Sequence, residues 1–194
     1  MKSSLPAPAM IAMIALVAVL FLVPMGALIT ATYLQSSRPG AAAATVPSGT
    51  RGPVQPIAFP HDVHAGKLGI NCLYCHWGAE RSPIANLPAV STCMGCHKMA
   101  VTDRPEVQKL AGYWERGETI PWVEVYWLPD HVKFNHKRHV KAGIVCQTCH
   151  GPVETMKVLV QVPSLKMGWC IECHRRHLND AVNPASMDCL ICHH

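Results

Sequence analysis

Five copies of one cysteine–histidine pattern are the feature of this sequence best suited to chemistry. The pattern Cys-x-x-Cys-His occurs as CLYCH at 72–76, CMGCH at 93–97, CQTCH at 146–150, CIECH at 170–174 and CLICH at 189–193. The chain of 194 residues has ten cysteines, and these five frames use all of them. No cysteine is left for a structural disulfide or an isolated nucleophile.

The histidine behind each pair decides among the chemistries of Cys-x-x-Cys. Two cysteines three apart are typical of half a zinc site, a redox-active dithiol or part of an iron–sulfur ligand set. None of these needs a histidine after every second cysteine, whereas covalent attachment of a c-type haem does. The two thiols add to the vinyl groups at one edge of the porphyrin, and the next residue places its imidazole on the iron. The frames therefore predict five covalently attached c-type haems.

The five frames also predict which residues would hold these haems. Proximal iron ligands are expected at His76, His97, His150, His174 and His193. Thioether bonds are expected at Cys72, Cys75, Cys93, Cys96, Cys146, Cys149, Cys170, Cys173, Cys189 and Cys192. Because short stretches separate most frames, we expect the haems to lie close enough together for electron transfer.

The composition favours a fold in which the haems themselves supply the core. Aromatic residues make up only 6% of the chain, which has 13 glycines and 16 prolines, so an ordinary side-chain core would be thin. A small domain with a thin core needs an additional source of stability, and five large apolar cofactors would provide it. We expect a mainly α-helical and irregular domain wrapped around five haems, preceded by one N-terminal transmembrane helix.

Seven histidines outside the frames are candidates for the second axial position of each iron: His61, His64, His131, His136, His139, His177 and His194. Four of them repeat a Phe-x-His-x-x-His motif, FPHDVH at 59–64 and FNHKRH at 134–139. Two histidines three apart share one helical face, from which they can reach two adjacent haems.

This repeat resembles the class III multihaem cytochromes c of the c3 and c7 type. In that family the first histidine of a pair binds the nearby haem and the second reaches another. The resemblance implies that His61 and His136 bind the haems of the first and third frames. His64 and His139 would then bind two of the other haems.

The fifth distal ligand has four candidates. His131, His177 and His194 compete with Met167, which lies just before the fourth frame in LKMGWCIECH. A methionine ligand would raise the potential of its haem relative to bis-histidine ligation, although methionine is commonly a packing residue. His194 gives the Cys-His-His ending that class III cytochromes use as a ligand, whereas His177 suits a solvated position.

The N-terminal part of the sequence predicts a membrane anchor. No charged residue occurs between Lys2 and Arg38, and residues 10–34 are nearly all apolar and long enough to cross a bilayer as a helix. A cleaved secretory signal is the alternative, since the following GAAAATV offers small residues to a peptidase. The apolar run is longer than a typical signal segment, so we expect a retained anchor.

The domain organisation follows from this anchor. Residues 1–9 are expected in the cytoplasm, residues 10–34 in the inner membrane as a single pass, and residues 35–57 in a Pro/Ala/Gly-rich linker. Residues 58–194 then form the pentahaem domain on the periplasmic side.

The full set of motifs resembles one particular family, the pentahaem membrane-anchored cytochrome c subunit of alternative complex III. The likeness runs through the apolar segment, FPHDVHAGKLGINCLYCH, WLPDHVKFNHKRHVKAGIVCQTCHGPV and MGWCIECHRR. It implies Met167 as the fifth distal ligand, which gives four bis-histidine haems and one histidine–methionine haem.

By this resemblance the chain transfers electrons and catalyses no reaction itself. It would lie in a quinol oxidoreductase beside a large iron–sulfur subunit and polytopic quinol-binding subunits. It would pass electrons to another cytochrome c, a copper protein or an oxidase. The sequence agrees, because we identify no catalytic carboxylate pair and no polar residue in the predicted anchor that would handle a quinol proton.

Other functions fit the sequence less well. An anchored quinol dehydrogenase feeding a periplasmic reductase needs its first haem near the membrane, whereas Cys72 follows a long linker. A multihaem reductase needs an iron with an open position, and this chain has ample spare histidine and methionine. A class III electron carrier outside any fixed complex is disfavoured by the anchor. Nucleic-acid binding is disfavoured because no basic run is interleaved with aromatics, and haem propionates would offset the net charge of +5.

The haem-free spacer between the second and third frames is rich in aromatic residues. It carries Tyr113, Trp114, Trp122, Tyr126 and Trp127. These rings would pack on porphyrin edges or bury against a partner. The stretch GETIPWVEVYWLP is compatible with a strand or with an irregular loop, and the sequence alone does not choose between them.

Overall fold

Short helices joined by irregular segments make up residues 51–194, the part of the chain that this computed structural model describes. Its α-helices are α1 (Cys72–Cys75), α2 (Val90–His97), α3 (Pro105–Glu115), α4 (His136–Lys141), α5 (Cys146–His150) and α6 (Met167–Arg176). A π-helix covers Asp62–Lys67, and 3-10 turns cover Trp77–Glu80, Val153–Thr155 and Cys189–Ile191. All of these residues belong to one compact unit of the chain.

Each frame includes helical residues, and polar caps fix where several of these helices begin. Asn71 accepts a hydrogen bond from the amide of Leu73 at 2.9 Å at the start of α1. Asp188 accepts one from the amide of Leu190 at 2.9 Å at the last 3-10 turn. Residues three apart on a helix lie on the same face, so the two thiols of a helical frame project together.

The prediction of a mainly helical and irregular fold is confirmed for residues 51–194, which contain no β-strand. The stretch GETIPWVEVYWLP, residues 117–129, is irregular rather than a strand. Its backbone forms hydrogen bonds with a side chain instead of a neighbouring strand. Gln55 Nε2 donates to the carbonyl of Val123, and the amide of Val123 donates to Gln55 Oε1, both at 2.8 Å. Pro121 and Pro129 lack an amide hydrogen, which interrupts any strand ladder here.

One small apolar cluster forms the side-chain core of the described region. Ile57, Met94, Leu110 and Ile120 are buried together, and Trp122 packs against them. The cluster joins the spacer helix α3 to α2, which carries the second frame. No side chain among residues 51–194 is completely buried, so this core is thin, as the composition predicted.

The predicted membrane anchor, residues 10–34, lies outside the described residues, as do residues 1–9 and most of the linker. Within residues 51–194, no helix is both long and apolar enough to span a bilayer. The domain boundaries stay predictions.

Replacing Leu110 by Ala is expected to lower the free energy of unfolding by about 2–5 kcal/mol, since Leu110 is 6% exposed and its loss leaves a cavity. Val54→Ala is the control, because Val54 is 92% exposed. Denaturant unfolding followed by circular dichroism measures both. Equal stability of the two variants would contradict the role of this cluster.

Candidate haem-binding site

Histidine rings from outside the frames lie opposite histidine rings of the frames. Four such pairs are present, each joining one predicted proximal ligand to one outside histidine. Their ring centroids are separated by 6.1 Å for His64 and His97, 6.3 Å for His136 and His150, 6.0 Å for His139 and His174, and 5.7 Å for His131 and His193. In three of these pairs the outside ring can face the frame ring across a haem. In the fourth, the carbonyl of His131 accepts a hydrogen bond from Nδ1 of His193 at 3.0 Å, which keeps residue 131 on the proximal side of the fifth frame.

This spacing fits a haem iron between the two rings. An imidazole nitrogen binds a metal at about 2 Å and lies roughly 1 Å from its ring centre, so two rings on opposite sides of one iron have centroids about 6 Å apart. Ligating imidazoles must also be neutral. Burial, with the charges of His136 and His76, lowers the pKa of His150 to about 4. Burial likewise lowers the pKa of His139, so both rings are neutral at pH 7.

Backbone carbonyls hold most of these rings by their Nδ1 atoms. An Nδ1–H that donates to a carbonyl leaves Nε2 with its lone pair free for a metal. The Nδ1–oxygen distances are 2.8 Å for His76 and Asn86, 3.1 Å for His97 and Ala100, 2.7 Å for His174 and Ser186, 2.9 Å for His64 and Pro60, 2.9 Å for His136 and Pro83, and 2.8 Å for His139 and Asn135. The chain thus sets the ring orientation on both the proximal and the distal side.

His61 differs from these residues, because its Nδ1 is buried and has no hydrogen-bond partner among residues 51–194. Burial, followed by the charges of His76 and His64, lowers its pKa to about 4. The influence of His76 places His61 near the first frame. No carbonyl ties this ring by its Nδ1 as the other rings are tied, and His61 stays the predicted distal ligand of the first frame.

Tyr126 from the spacer supports the proximal histidine of the third frame. Its ring meets the ring of His150 edge to face at 4.4 Å. Its hydroxyl is 2.8 Å from the carbonyl of His150 and 3.0 Å from that of Val160, positioned to donate to either. Burial and the nearby Cys149 raise the pKa of Tyr126 to about 12, so the hydroxyl stays a donor. The sequence identified Tyr126 only as one of several packing aromatics.

The other aromatics of the spacer have different roles. Trp122 and Tyr113 pack against the apolar cluster. The Lys98 ammonium lies 4.9 Å from the ring centre of Trp114, whereas Trp127 is largely exposed.

The two Phe-x-His-x-x-His segments have the same internal geometry. In each, the phenylalanine stacks on the second histidine and meets the first edge-on. The centroid distances are 4.3 Å for Phe59 and His64, 4.8 Å for Phe59 and His61, 4.5 Å for Phe134 and His139, and 4.8 Å for Phe134 and His136. The histidine that stacks on phenylalanine faces the second frame downstream in both cases. The repeat in sequence is therefore a repeat in structure.

Each segment is held by the other half of the chain. The amide of Asp62 donates to the carbonyl of Met156 at 3.0 Å, just beyond the third frame. The amide of His136 donates to the carbonyl of Pro83 at 3.1 Å, just beyond the first frame. The distal histidines of one half are thus positioned by the loop that follows the leading frame of the other.

Neighbouring thiols show that the first frame lies between the second and the third. Burial raises the pKa of Cys75, and the thiols of Cys72 and Cys96 raise it further. Burial also raises the pKa of Cys146, and the nearby thiol of Cys72 raises it further. The first frame is therefore adjacent both to the second frame and to the third.

The remaining frames continue this series toward the C-terminus. Burial raises the pKa of Cys149 to about 11, and the nearby thiols of Cys173 and Cys170 contribute to this rise. Burial and then Cys192 raise the pKa of Cys170. The frames therefore follow the spatial order second, first, third, fourth, fifth. None of the ten cysteines, all of which lie within residues 51–194, forms a disulfide.

The structure places the four candidates for the fifth distal ligand in different surroundings. His131 lies beside His193, whose Nδ1 donates to the carbonyl of His131. Met167 is the first residue of α6 and is 63% exposed. The ring of His177 lies 3.8 Å from a carboxylate oxygen, and that of His194 contacts a carbonyl of its own turn. Met167, which the resemblance favoured, stays the predicted fifth distal ligand.

Replacing His139 by Ala is expected to convert one haem from low spin to high spin, because the ring opposite His174 is removed. The number of covalent haems should stay the same, since all thiols remain. Electron paramagnetic resonance of the oxidised protein and intact mass measure the two quantities. His177→Ala is the matched control, and a high-spin signal in both variants would count against the pairing.

Replacing Gly66 by Ala is expected to displace the π-helix Asp62–Lys67, because a Cβ at this position would clash with the carbonyl oxygen of Glu154. We expect a loss of about 1–3 kcal/mol of stability and a change in the spin state of the haems served by that helix. Gly168→Ala is the control, since its Cβ would meet nothing within 4 Å. An unchanged unfolding midpoint and unchanged spectra would contradict the packing of Gly66.

Two comparisons with known proteins bear on this site. Residues 132–194 match the family described as "Cytochrome c7 and related cytochrome c", a range that holds the last three frames. The chain is also 29% identical over 160 residues to the "Menaquinone reductase, multiheme cytochrome c subunit" of Nitratidesulfovibrio vulgaris, covering 72% of this chain and 76% of that protein.

These matches agree with the frames and with the paired histidine rings. The C-terminal part of the chain is thus similar to the c7-type cytochromes c, and the chain as a whole is similar to a multihaem cytochrome c subunit, in keeping with a role in electron transfer.

Proposed function

We propose that this chain carries electrons through five c-type haems within a membrane complex that oxidises quinol, of the alternative complex III type. The observation that carries the proposal is the contact between the two halves of the chain, in which Asp62 bonds to Met156 beyond the third frame and His136 bonds to Pro83 beyond the first. These bonds bring the frames together in a series, and the thiols of neighbouring frames shift one another's pKa. Such a series is what electron transfer along a protein requires, whereas a single reactive centre would not need it.

The residues around the frames suit this role. A haem iron with two protein ligands exchanges single electrons and keeps no position open for a substrate. The chain supplies those ligands as imidazoles that are tied to carbonyls by Nδ1, packed on phenylalanine and kept neutral by burial. Rings held in this way have little freedom to move when the charge on the site changes.

The order of the frames gives the series two ends. The second frame, on α2, lies at one end beside the apolar cluster of the spacer. The fifth frame lies at the other end, at the C-terminus. We propose that electrons enter at one of these ends and leave at the other.

The membrane partners are proposed from the sequence and from the named relative. The apolar segment at residues 10–34 would anchor the chain, with the haem domain on the periplasmic side of the inner membrane. The partners would be an iron–sulfur subunit and polytopic quinol-binding subunits, and the acceptor a cytochrome c, a copper protein or an oxidase. The relative's description as a subunit of a menaquinone reductase supports a quinone-linked complex.

The same description favours a second candidate function with the opposite direction of flow. In that case electrons would enter the chain from a periplasmic donor and leave toward a membrane quinone. A third arrangement, an anchored quinol dehydrogenase that feeds a periplasmic reductase, differs in its partner. These three functions would use the same series of haems. They differ in the partner proteins that bind the chain and in the substrate that reduces its haems.

Purification of the tagged full-length chain from membranes in mild detergent tests the complex. We expect a polytopic quinol-binding subunit and a large iron–sulfur subunit to co-purify, with an untagged strain as control. Reduction of the haems by added quinol, blocked by a quinone-site inhibitor, would support quinol oxidation. Recovery of the chain alone, or with a periplasmic reductase, would overturn the assignment to alternative complex III.

The intact mass of the purified chain is expected to correspond to five covalently bound haems. Replacing both Cys93 and Cys96 by Ser should remove one haem and leave four, because the two thioether bonds of the second frame are lost. Met99→Leu, at an exposed position close to the same frame, is the control and should keep all five. A wild-type mass with fewer than five haems would contradict the count.

A further inference from the structure

We propose that the loop at residues 82–86 sets the potentials of two neighbouring haems at once, and that Asn86 is the positioning residue that holds its shape. The inference rests on the proposed function in that the first and third frames must carry haems. The loop follows the first frame and contains no cysteine and no histidine. It acts through backbone carbonyls, which no motif of the sequence marks.

Two carbonyls of this loop accept hydrogen bonds from histidines that belong to different frames. The Nδ1 of His76, the predicted proximal ligand of the first frame, donates to the carbonyl of Asn86 at 2.8 Å. The Nδ1 of His136 donates to the carbonyl of Pro83 at 2.9 Å. The ring of His136 in turn faces that of His150, in the third frame, at 6.3 Å. One short loop therefore orients an imidazole at each of two frames.

The backbone of Asn86 lies in the left-handed region, with φ at +64°. Residues other than glycine seldom adopt this conformation, although asparagine tolerates it better than most. Strain of this kind persists where the surrounding structure fixes it, and it is common at functional positions. Here the strained residue is also the one whose carbonyl accepts from His76. The left-handed turn thus aims this carbonyl at the imidazole.

The loop packs closely on the turn that follows the first frame. A Cβ at Gly78 would lie 2.8 Å from the carbonyl oxygens of Ile84 and Ala85, a distance too short for a real contact. The side-chain nitrogen of Asn86 would be equally close. The amide of Ser82 donates to the carbonyl of Gly78 at 2.8 Å. The two carbonyls that accept from histidines are therefore held by one packed unit.

These bonds bear on the iron potentials. An imidazole whose Nδ1–H donates to an acceptor is a stronger electron donor to its metal. Stronger donation stabilises the oxidised iron and lowers its potential. A displacement of the loop weakens both bonds, so both potentials rise together. Because the first and third frames are adjacent, a shared loop keeps the difference between their potentials nearly constant, and this difference drives the electron from one to the other.

Variants of Asn86 in the full-length chain, purified in its complex, test the loop. Asn86→Val should raise the midpoint potentials of two of the five haems, because a β-branched residue disfavours the left-handed backbone and the loop must shift. Asn86→Gly should keep the wild-type potentials, since glycine adopts a positive φ readily. Redox titration followed by electron paramagnetic resonance of the low-spin signals measures the potentials.

Further variants act on the same loop from other positions. Gly78→Ala displaces it from the opposite side and should raise the potentials of the same two haems. Leu87→Ala is the matched control, because this neighbouring side chain is 61% exposed, and it should change no potential. Asn86→Ala imposes a milder strain and replaces Asn86→Val if that variant does not assemble.

The outcomes separate this inference from the proposed function. An upward shift of two haems in Asn86→Val and Gly78→Ala, with wild-type potentials in Asn86→Gly, would establish the shared loop. Any other pattern of shifts, with five haems bound and reduction by quinol intact, would overturn the inference and leave the proposed function standing. A wild-type chain whose first-frame or third-frame peptide carries no haem by mass would overturn both.

Discussion

The rest of this structure depends on one constraint, that a frame histidine and a histidine from elsewhere in the chain face each other 6.0 to 6.3 Å apart at the second, third and fourth frames. The pairs combine residues distant in the chain, so the backbone must fold to bring them together. Most of the rings are tied by Nδ1 to a carbonyl, and these carbonyls come from loops rather than from regular elements. The short helices, the irregular connections and the thin apolar core all follow from placing ligands rather than from packing side chains.

A duplicated unit accounts for much of the arrangement. Each Phe-x-His-x-x-His segment stacks its second histidine on its phenylalanine, and each leads into two frames. The two units are not independent, because each supplies the loop that fixes the other's segment. The fifth frame lies outside the duplication and is held instead by hydrogen bonds to the backbone of residues 131–133. A unit used twice and then extended by one frame explains why four predicted distal histidines share a motif, whereas the fifth predicted distal ligand lies outside it.

The frames and the paired histidines could be predicted from the sequence, because both are local patterns with a chemical requirement behind them. The matching of distal rings to frames beyond the nearest could not, since it depends on contacts such as that of His136 with Pro83, 53 residues apart. His131 had no motif around it to separate it from His177 or His194. Tyr126 had no local signal either, since its partner His150 lies 24 residues away. The N-terminal anchor rests on hydropathy alone.

The interlocked halves bear on how such a protein is made. Chains grow from the N-terminus, so the first two frames leave the ribosome before the carbonyl of Met156 exists to hold the segment with His61 and His64. Those frames can receive their cofactors while the distal side is still loose, because the open chain leaves their thiols accessible to an attachment enzyme. Closure then waits for the second half. In this order, haem attachment to the first two frames precedes the fixing of their distal histidines. A chain truncated after the second frame would carry haem without its complete distal coordination.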